Sequence, residues 1–261
     1  MSAPAAVHVY KVGGPALEDP DLLAPLAKEV NGLDGRAVLV HGGGRHIQRI
    51  LETLGIESRF VGGRRFTSDA AMEAVEMVLS GVVNKALAAG LTAAGTSAVG
   101  LSGRDGGMVR ARLEDGLGRV GTPEAVDPSP IRALWDAGML PVVSPVASDA
   151  SGRPVNVNAD EAALGLARAL GATTLVYLSD VDGVRLDGET ATTLTPDAAE
   201  ERIEDGTIAG GMALKVRVAL EASAAGIPEV VIAGKARLLG TFPGTRLLAG
   251  AAAAQQTEVT R

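Results

Sequence analysis

The 261-residue chain has no cysteine. That absence excludes disulfides, thiolate zinc sites and a cysteine nucleophile, and it fits a cytoplasmic location. Histidine is almost as scarce, with only His8, His41 and His46. A three-histidine metal site would need all of them, and His8 falls inside an expected strand, so such a site is not expected. The aromatic side chains are Trp135, Tyr10, Tyr177, Phe60, Phe66 and Phe242, too few for a base-stacking platform. Basic runs are missing as well, and the net charge is −7, so nucleic acid is not an expected partner. No unbroken apolar run reaches about 18 residues, the length that marks a transmembrane helix. The N-terminal segment lacks the basic and long apolar regions of a signal peptide. No membrane association is expected.

What the chain does contain is alternation. Strand-like runs at 7–12, 37–41, 96–101, 140–145, 173–178 and 229–233 are separated by helical patterns near 19–32, 45–54, 68–94, 128–138, 159–170, 196–205 and 211–225. Residues 58–67 read as a short hairpin with a glycine pair, and 107–121 as a polar β-hairpin region. This order predicts an α/β fold, a three-layer α/β/α sandwich with a mostly parallel central sheet. The small, polar tail AGAAAAQQTEVTR is expected to fray. No long linker divides the chain. A boundary near residue 171 separates motifs of different character, giving lobes of 1–171 and 172–261.

Two glycine turns follow the first two strands: Lys11-Val12-Gly13-Gly14 and His41-Gly42-Gly43-Gly44. Glycine lets backbone N–H groups approach an anion closely, and a helix N-terminus adds partial positive charge. Turns after parallel strands collect at one edge of the sheet, where open α/β folds bind their ligands. The familiar phosphate motifs are absent: there is no Walker P-loop, no dinucleotide fingerprint after the first strand and no nucleophile elbow. Lys11 at a strand end and Arg64 beside Arg65 also have plain solvent-facing readings, Arg64 more so than Arg65. Asp160 has one as a helix cap, and His41 reads as structural rather than catalytic.

Further segments are more specific: VGGRRFTSD at 61–69, EMVLSGVVNK at 76–85, VGLSGRDG at 99–106, PVNVNAD at 154–160, SDVDGV at 179–184 and GGMALKV at 210–216. With KVGG and VHGGG, this ordered set resembles the amino acid kinase family from about residue 7 to 248. KVGG, HGGG and SDVDG are shared across the family. GGRRFT, EMVLSGVVNK and NVNAD point to the branch that phosphorylates N-acetyl-L-glutamate.

The resemblance implies transfer of a phosphoryl group from ATP, accompanied by Mg²⁺, to the γ-carboxylate of N-acetyl-L-glutamate, a step of arginine biosynthesis. It implies catalytic roles for Lys11, Lys215 and Asp160, the last as organiser of the two lysines. Gly13, Gly14, Gly43, Gly44, Arg65, Asn156 and Asn158 match substrate-binding positions. Asp180, Val181, Asp182, Gly183, Val184, Gly210 and Gly211 match ATP-binding positions. The first lobe would hold the amino-acid substrate and the dimer contact, made by the 68–94 helix in a homodimer; the second would hold ATP. The metal would be held mainly by phosphates.

Three departures stand out. Only ten residues precede Lys11, with no counterpart to the extra N-terminal helix of arginine-inhibited hexameric relatives. VVIAGKARLLGTFPGTRLL lacks the aspartate-glycine-arginine segment and following histidine of many relatives. His46 stands where relatives have a glutamine-containing sequence, next to the expected acceptor site. Two other readings stay open. One is a kinase for α-aminoadipate or glutamate on a carrier protein, in which a GRM-type motif usually replaces GGM. The other is a non-catalytic sensor of amino acid or nucleotide, a class that commonly loses a catalytic lysine.

Overall fold

A computed structural model describes residues 5–249 apart from Pro15 and Pro20. The expected fraying of the tail lies, from residue 250 onward, outside the described residues. The fold centres on an eight-stranded sheet. Its order is Thr193–Leu194, Thr245–Leu247, Glu229–Ala233, Thr174–Leu178, Val7–Val12, Arg36–His41, Leu140–Ser144 and Ala98–Ser102. Every pairing is parallel except that of Glu229–Ala233 with Thr245–Leu247. The sheet crosses residue 171 without interruption, because Val7–Val12 pairs directly with Thr174–Leu178.

The central strands are buried on both faces, as parallel strands covered by helices must be. Side chains alternate between faces with a period of two. In Val7–Val12, Tyr10 and Val12 join Leu26, Leu39, Leu87 and Leu91 under the helices Leu23–Asn31 and Asn84–Ala93. Val9 points the other way, into a core with Ala163, Leu166, Val216 and Ala219 from the helices Ala159–Leu170 and Gly210–Ala224. Lys11 shares the parity of Val9. The pleat therefore aims its ammonium at those two helices.

The strands and helices read from sequence are present, with ends shifted by a few residues. Val7–Val12, Ala159–Leu170 and Glu229–Ala233 have the expected bounds. The polar hairpin region is Val109–Leu113 paired with Val120–Val126, and it closes into a small barrel with Val146–Ser148 and Pro154–Val157. Those last two strands have too few residues to display a period-two pattern, and the sequence reads through them as loop.

The long helical stretch is not uniform. It runs as α-helix over Asp69–Glu76, widens to a π-helix over Met77–Val83, and returns to α-helix over Asn84–Ala93. By length and composition alone it passes for a membrane span, with mean hydropathy 1.4 in its most apolar window, yet half of that window is buried inside the fold. Asn84, fully buried, explains how the stretch is pinned. Its side-chain amide donates to the carbonyl oxygens of Val142 (2.9 Å) and Leu101 (3.1 Å) and meets His41 Nε2 at 3.1 Å. Removing that amide strips these contacts from a buried site. Asn84→Ala is expected to lower stability by about 1–3 kcal/mol, read as a lower urea midpoint at unchanged m-value; an unchanged midpoint would show that water replaces the amide.

Candidate active site

At the carboxyl edge of the sheet the two glycine turns abut. A Cβ on Gly14 would lie 3.4 Å from the Gly44 nitrogen, and one on Gly42 would lie 3.3 Å from the Gly14 nitrogen. At Gly43 it would strike Leu79 at 2.7 Å, which places the π-helical segment directly behind the turn. The Gly13 N–H donates to the Leu178 carbonyl (2.8 Å), tying the first turn to the neighbouring strand end.

Beside these turns lies a cleft of about 640 Å³. Lys11, Gly14, Gly43, Gly44, Arg65, Asn156, Asn158 and Gly211 are among the residues that line it. Two helices open at this cleft with glycine and without a side-chain cap: Gly44–Thr53 and Gly210–Ala224. Their first N–H groups have no intrahelical acceptor. Such a terminus, presented to a cavity, is suited to an anion.

A third helix, Ala159–Leu170, begins differently. Asn158 caps it, its Oδ1 accepting from the N–H groups of Asp160 (2.9 Å) and Glu161 (3.4 Å). The cap is thus Asn158, not Asp160 as the plain reading of the aspartate had it. Asp160 is free to face the sheet. Gly171, in the left-handed region at φ 65°, ends the helix.

Asp160 joins residues far apart in the chain. Its Oδ1 lies 2.8 Å from Lys11 Nζ, and Lys215 Nζ donates to both carboxylate oxygens at 3.1 Å. All three side chains are 9% exposed. The Tyr177 ring lies 5.7 Å from Lys215 Nζ. Burial alone would raise the Asp160 carboxyl, but the Lys11 and Lys215 ammonium groups outweigh it and hold the carboxyl at about 2. Burial, reinforced by Lys11, lowers Lys215 to about 8 despite the neighbouring carboxylate. Two ammonium groups against one carboxylate leave a net positive charge among buried side chains.

Arg65 is buried. Its guanidinium donates to Gln48 Oε1 (2.6 Å), Ser58 Oγ and the Gly44 carbonyl (3.1 Å), and stacks 4.6 Å from the Phe60 ring centre. Among the described residues it has no carboxylate partner. Asn156 Nδ2 donates to Thr67 Oγ1 (3.0 Å), while the Asn158 side-chain NH₂ has no partner among the described residues. Gln48 and Ser58 were not picked out from the sequence, since a supporting polar residue carries no motif; Thr67 falls inside the GGRRFT segment but was given no role of its own.

His41 is fully buried, with Nδ1 2.8 Å from the Gly42 carbonyl, and burial pushes it down to about 4. It is neutral at pH 7 and structural. His46 is not among the residues lining the cleft; Arg45 and Gln48 of the same helix are. Arg64 is not a free surface arginine either, because it pairs with Glu161 and lines the cleft.

The expected nucleotide residues split into two groups. Gly211 reaches the cleft and Gly210 starts the same helix. Asp180–Val184 does not line the cleft; it forms the turn after Thr174–Leu178, on the far side of Gly13. Thr245 fixes that turn, its Oγ1 accepting from the Val184 N–H (2.8 Å), and a Cβ on Gly183 would fall 2.5 Å from the same oxygen. Asp182 Oδ1 accepts from the Ala236 N–H (3.4 Å).

Uncapped helix ends, side-chain-free turns and a buried excess of ammonium charge at one edge of a parallel sheet define a site for a polyanionic ligand. Residues 6–234 match the model of the amino acid kinase family, and the chain belongs to that family. It is 47% identical over 223 residues to a protein of Roseiflexus sp. (strain RS-1) named acetylglutamate kinase, covering 84% of this chain and 85% of that one. It is 44% identical over 238 residues to a protein of the same name from Rubrobacter xylanophilus, covering 90% and 93%. Among solved structures, smu.665 from Streptococcus mutans UA159 superposes with a TM-score of 0.82 at 27% identity, covering 93% of this chain and 98% of that one.

The triad sets a stability test. Asp160→Asn leaves two buried ammonium groups without a counter-charge and is expected to cost about 3–5 kcal/mol at pH 7 in urea unfolding. The cost should shrink as pH rises toward about 8, because without Asp160 the Lys215 ammonium sheds its proton below its wild-type value. In the wild type, the depressed Asp160 contributes stability that is complete above the ordinary carboxylate value of 3.8 and is lost as pH falls toward about 2. A variant as stable as the wild type at pH 7 would contradict the triad.

Proposed function

We infer that this chain transfers the γ-phosphoryl group of ATP to the γ-carboxylate of N-acetyl-L-glutamate, giving N-acetyl-L-glutamyl 5-phosphate in arginine biosynthesis. The observation that carries this reading is the Lys11–Asp160–Lys215 triad beside two abutting glycine turns, in a chain 47% identical to a named acetylglutamate kinase.

The acceptor is a carboxylate, ionised at neutral pH with an ordinary pKa of roughly 4.3. It needs no general base, and a neutral, buried His41 fits that. A bond forms between a γ-carboxylate oxygen and the γ-phosphorus. The bond from that phosphorus to the β,γ-bridging oxygen breaks, and its electron pair leaves with ADP. The obstacle is repulsion between anions, so alignment and charge neutralisation supply the catalysis.

Lys11 would face the transferring phosphoryl group and Lys215 the charge growing on ADP, with Asp160 holding both. Gly13, Gly14, Gly43 and Gly44 would offer N–H groups and room. Arg65 would bind the α-carboxylate, for which its planar fork is suited. Asn158, with its NH₂ free, and Asn156 would bind the acetamido and carboxylate oxygens. Asp180–Val184 and Gly210–Gly211 would hold the nucleotide. Mg²⁺ would arrive as part of the nucleotide substrate, held by phosphate oxygens and water; Asp160 is already committed to its lysines. In this reading residues 1–171 form the acceptor half of the molecule and residues 172–261 the nucleotide half. We place the enzyme in the cytoplasm as a homodimer, whose contact would use the exposed Met77 and Val82 on the long helical stretch.

The test is ATP-dependent acyl phosphate formation, trapped with hydroxylamine, across N-acetyl-L-glutamate, L-glutamate, L-aspartate and N-acetyl-α-aminoadipate. Turnover is expected with N-acetyl-L-glutamate, and Lys11→Ala is expected to lower kcat by about 10²–10³. Preference for an unacetylated acceptor would overturn the reading. A second outcome follows from Lys215 at about 8. It acts as a cation, so kcat/KM is expected to fall as pH rises through about 8, while kcat, read with phosphates already beside the lysine, falls only at higher pH. Lys215→Arg should flatten the limb in kcat/KM.

A further inference from the structure

The hairpin Phe60–Val61 with Arg64–Arg65 is a two-stranded unit of its own, tied to the barrel past its second strand, where Thr67 bridges Gly118 and the Thr67 carbonyl accepts from the Arg119 N–H (2.6 Å). A hairpin of this size is marginal on its own. Its place over the cleft must come from what anchors it. Phe60 and Val61 are exposed, so apolar burial at the first strand contributes little.

Adjacent residues of a strand face opposite ways, and Arg64 and Arg65 use this. Arg65 turns inward to Gln48, Ser58 and Gly44. Arg64 turns to the helix that carries Asp160, where its Nη2 donates to Glu161 Oε1. The Glu161 side chain is only 12% exposed. The pair is incompletely used: Arg64 Nε and Glu161 Oε2 are both buried without a partner. A donor and an acceptor left over on the same ion pair are what a one-point contact leaves where a side-on, two-point contact is possible.

We propose that Glu161 is a positioning residue for acceptor binding: through Arg64 it locks the hairpin that carries Arg65 to the helix that carries Asp160. The arginine that meets the acceptor and the carboxylate that organises the two lysines are thereby held in one frame. Gly63 adds a contact to the nucleotide-side helix, where a Cβ would lie 3.2 Å from Leu214, the residue before Lys215. The pair contributes no free charge to the cleft, because each member cancels the other. Its effect is geometric and falls on the acceptor, not on phosphoryl transfer. The kinetic part of this inference rests on the acceptor reading above.

The experiment compares Glu161→Gln, Arg64→Leu and the doubly apolar Arg64→Leu/Glu161→Leu with the wild type. For each single variant, KM for N-acetyl-L-glutamate is expected to rise about tenfold or more while kcat and KM for ATP stay within about threefold. The double variant, in which no charge is stranded, is expected to be no worse than either single, the non-additivity of residues acting as a pair. Hydrogen exchange at residues 60–65 supplies a readout that does not depend on the acceptor's identity: protection is expected to drop in Glu161→Gln. Unchanged KM, a fall confined to kcat or to both substrates alike, additive losses, or unaltered exchange would each overturn the proposal. If the wild type ignores N-acetyl-L-glutamate but hairpin protection still falls in Glu161→Gln, the acceptor reading fails and the lock stands.

Discussion

The molecule is organised around one carboxylate that holds two buried ammonium groups side by side. Moving an ammonium ion out of water costs several kcal/mol even after relaxation. Lys11 and Lys215 also repel each other. Asp160 offsets both terms from 2.8 and 3.1 Å, and it does so at a position fixed by three independent elements. The pleat of the first strand aims Lys11, the cap at Asn158 frees Asp160 from capping, and the Gly210–Ala224 helix delivers Lys215 from its second turn. The remaining positive charge is what suits the pocket to an anionic ligand.

Backbone dipoles extend the same design. Ser68, Asn158 and Thr195 cap helices with side-chain oxygens. The two helices that begin with glycine at the cleft have no such cap. A side-chain oxygen there would occupy the N–H groups and crowd the ligand. Leaving them open forgoes about 1 kcal/mol of helix stability per cap, a cost that a bound anion would offset. The steric constraint is equally local: Leu79, on the π-helical segment, leaves no room for a side chain at Gly43.

Much of this was legible in the chain. Strands buried on both faces read as mainly apolar runs, and VHVYKV, AVLVH and TLVYL marked the centre of the sheet. Lys11, Asp160 and Lys215 were legible through resemblance in motif order, since no spacing rule joins positions so far apart. What stayed hidden has a common cause: short range and low contrast. Val146–Ser148 and Pro154–Val157 are too brief for periodicity, and Gln48, Ser58 and Thr67 are polar residues whose meaning lies in what they support. Arg64 misled for a related reason. Two adjacent arginines look alike in a sequence, and only the strand's alternation shows that one faces Gln48 and the other Glu161.

That alternation also bears on how an acidic protein handles anions. The chain carries a net charge of −7, which repels ATP and a dicarboxylate at long range. Screening confines that repulsion to within about 10 Å of the surface at ordinary ionic strength. Inside the cleft the balance is reversed. Lys11 and Arg65 line the cleft, the Lys11–Asp160–Lys215 cluster sets two ammonium groups against one carboxylate, and the Arg64–Glu161 pair is neutral as a unit. Glu161 is adjacent to Asp160 in sequence and would cancel the pocket's charge were it not already engaged. In the proposed arrangement, pairing it with Arg64 does two things at once: it anchors the hairpin, and it keeps the Glu161 carboxylate engaged away from the Lys11–Asp160–Lys215 cluster.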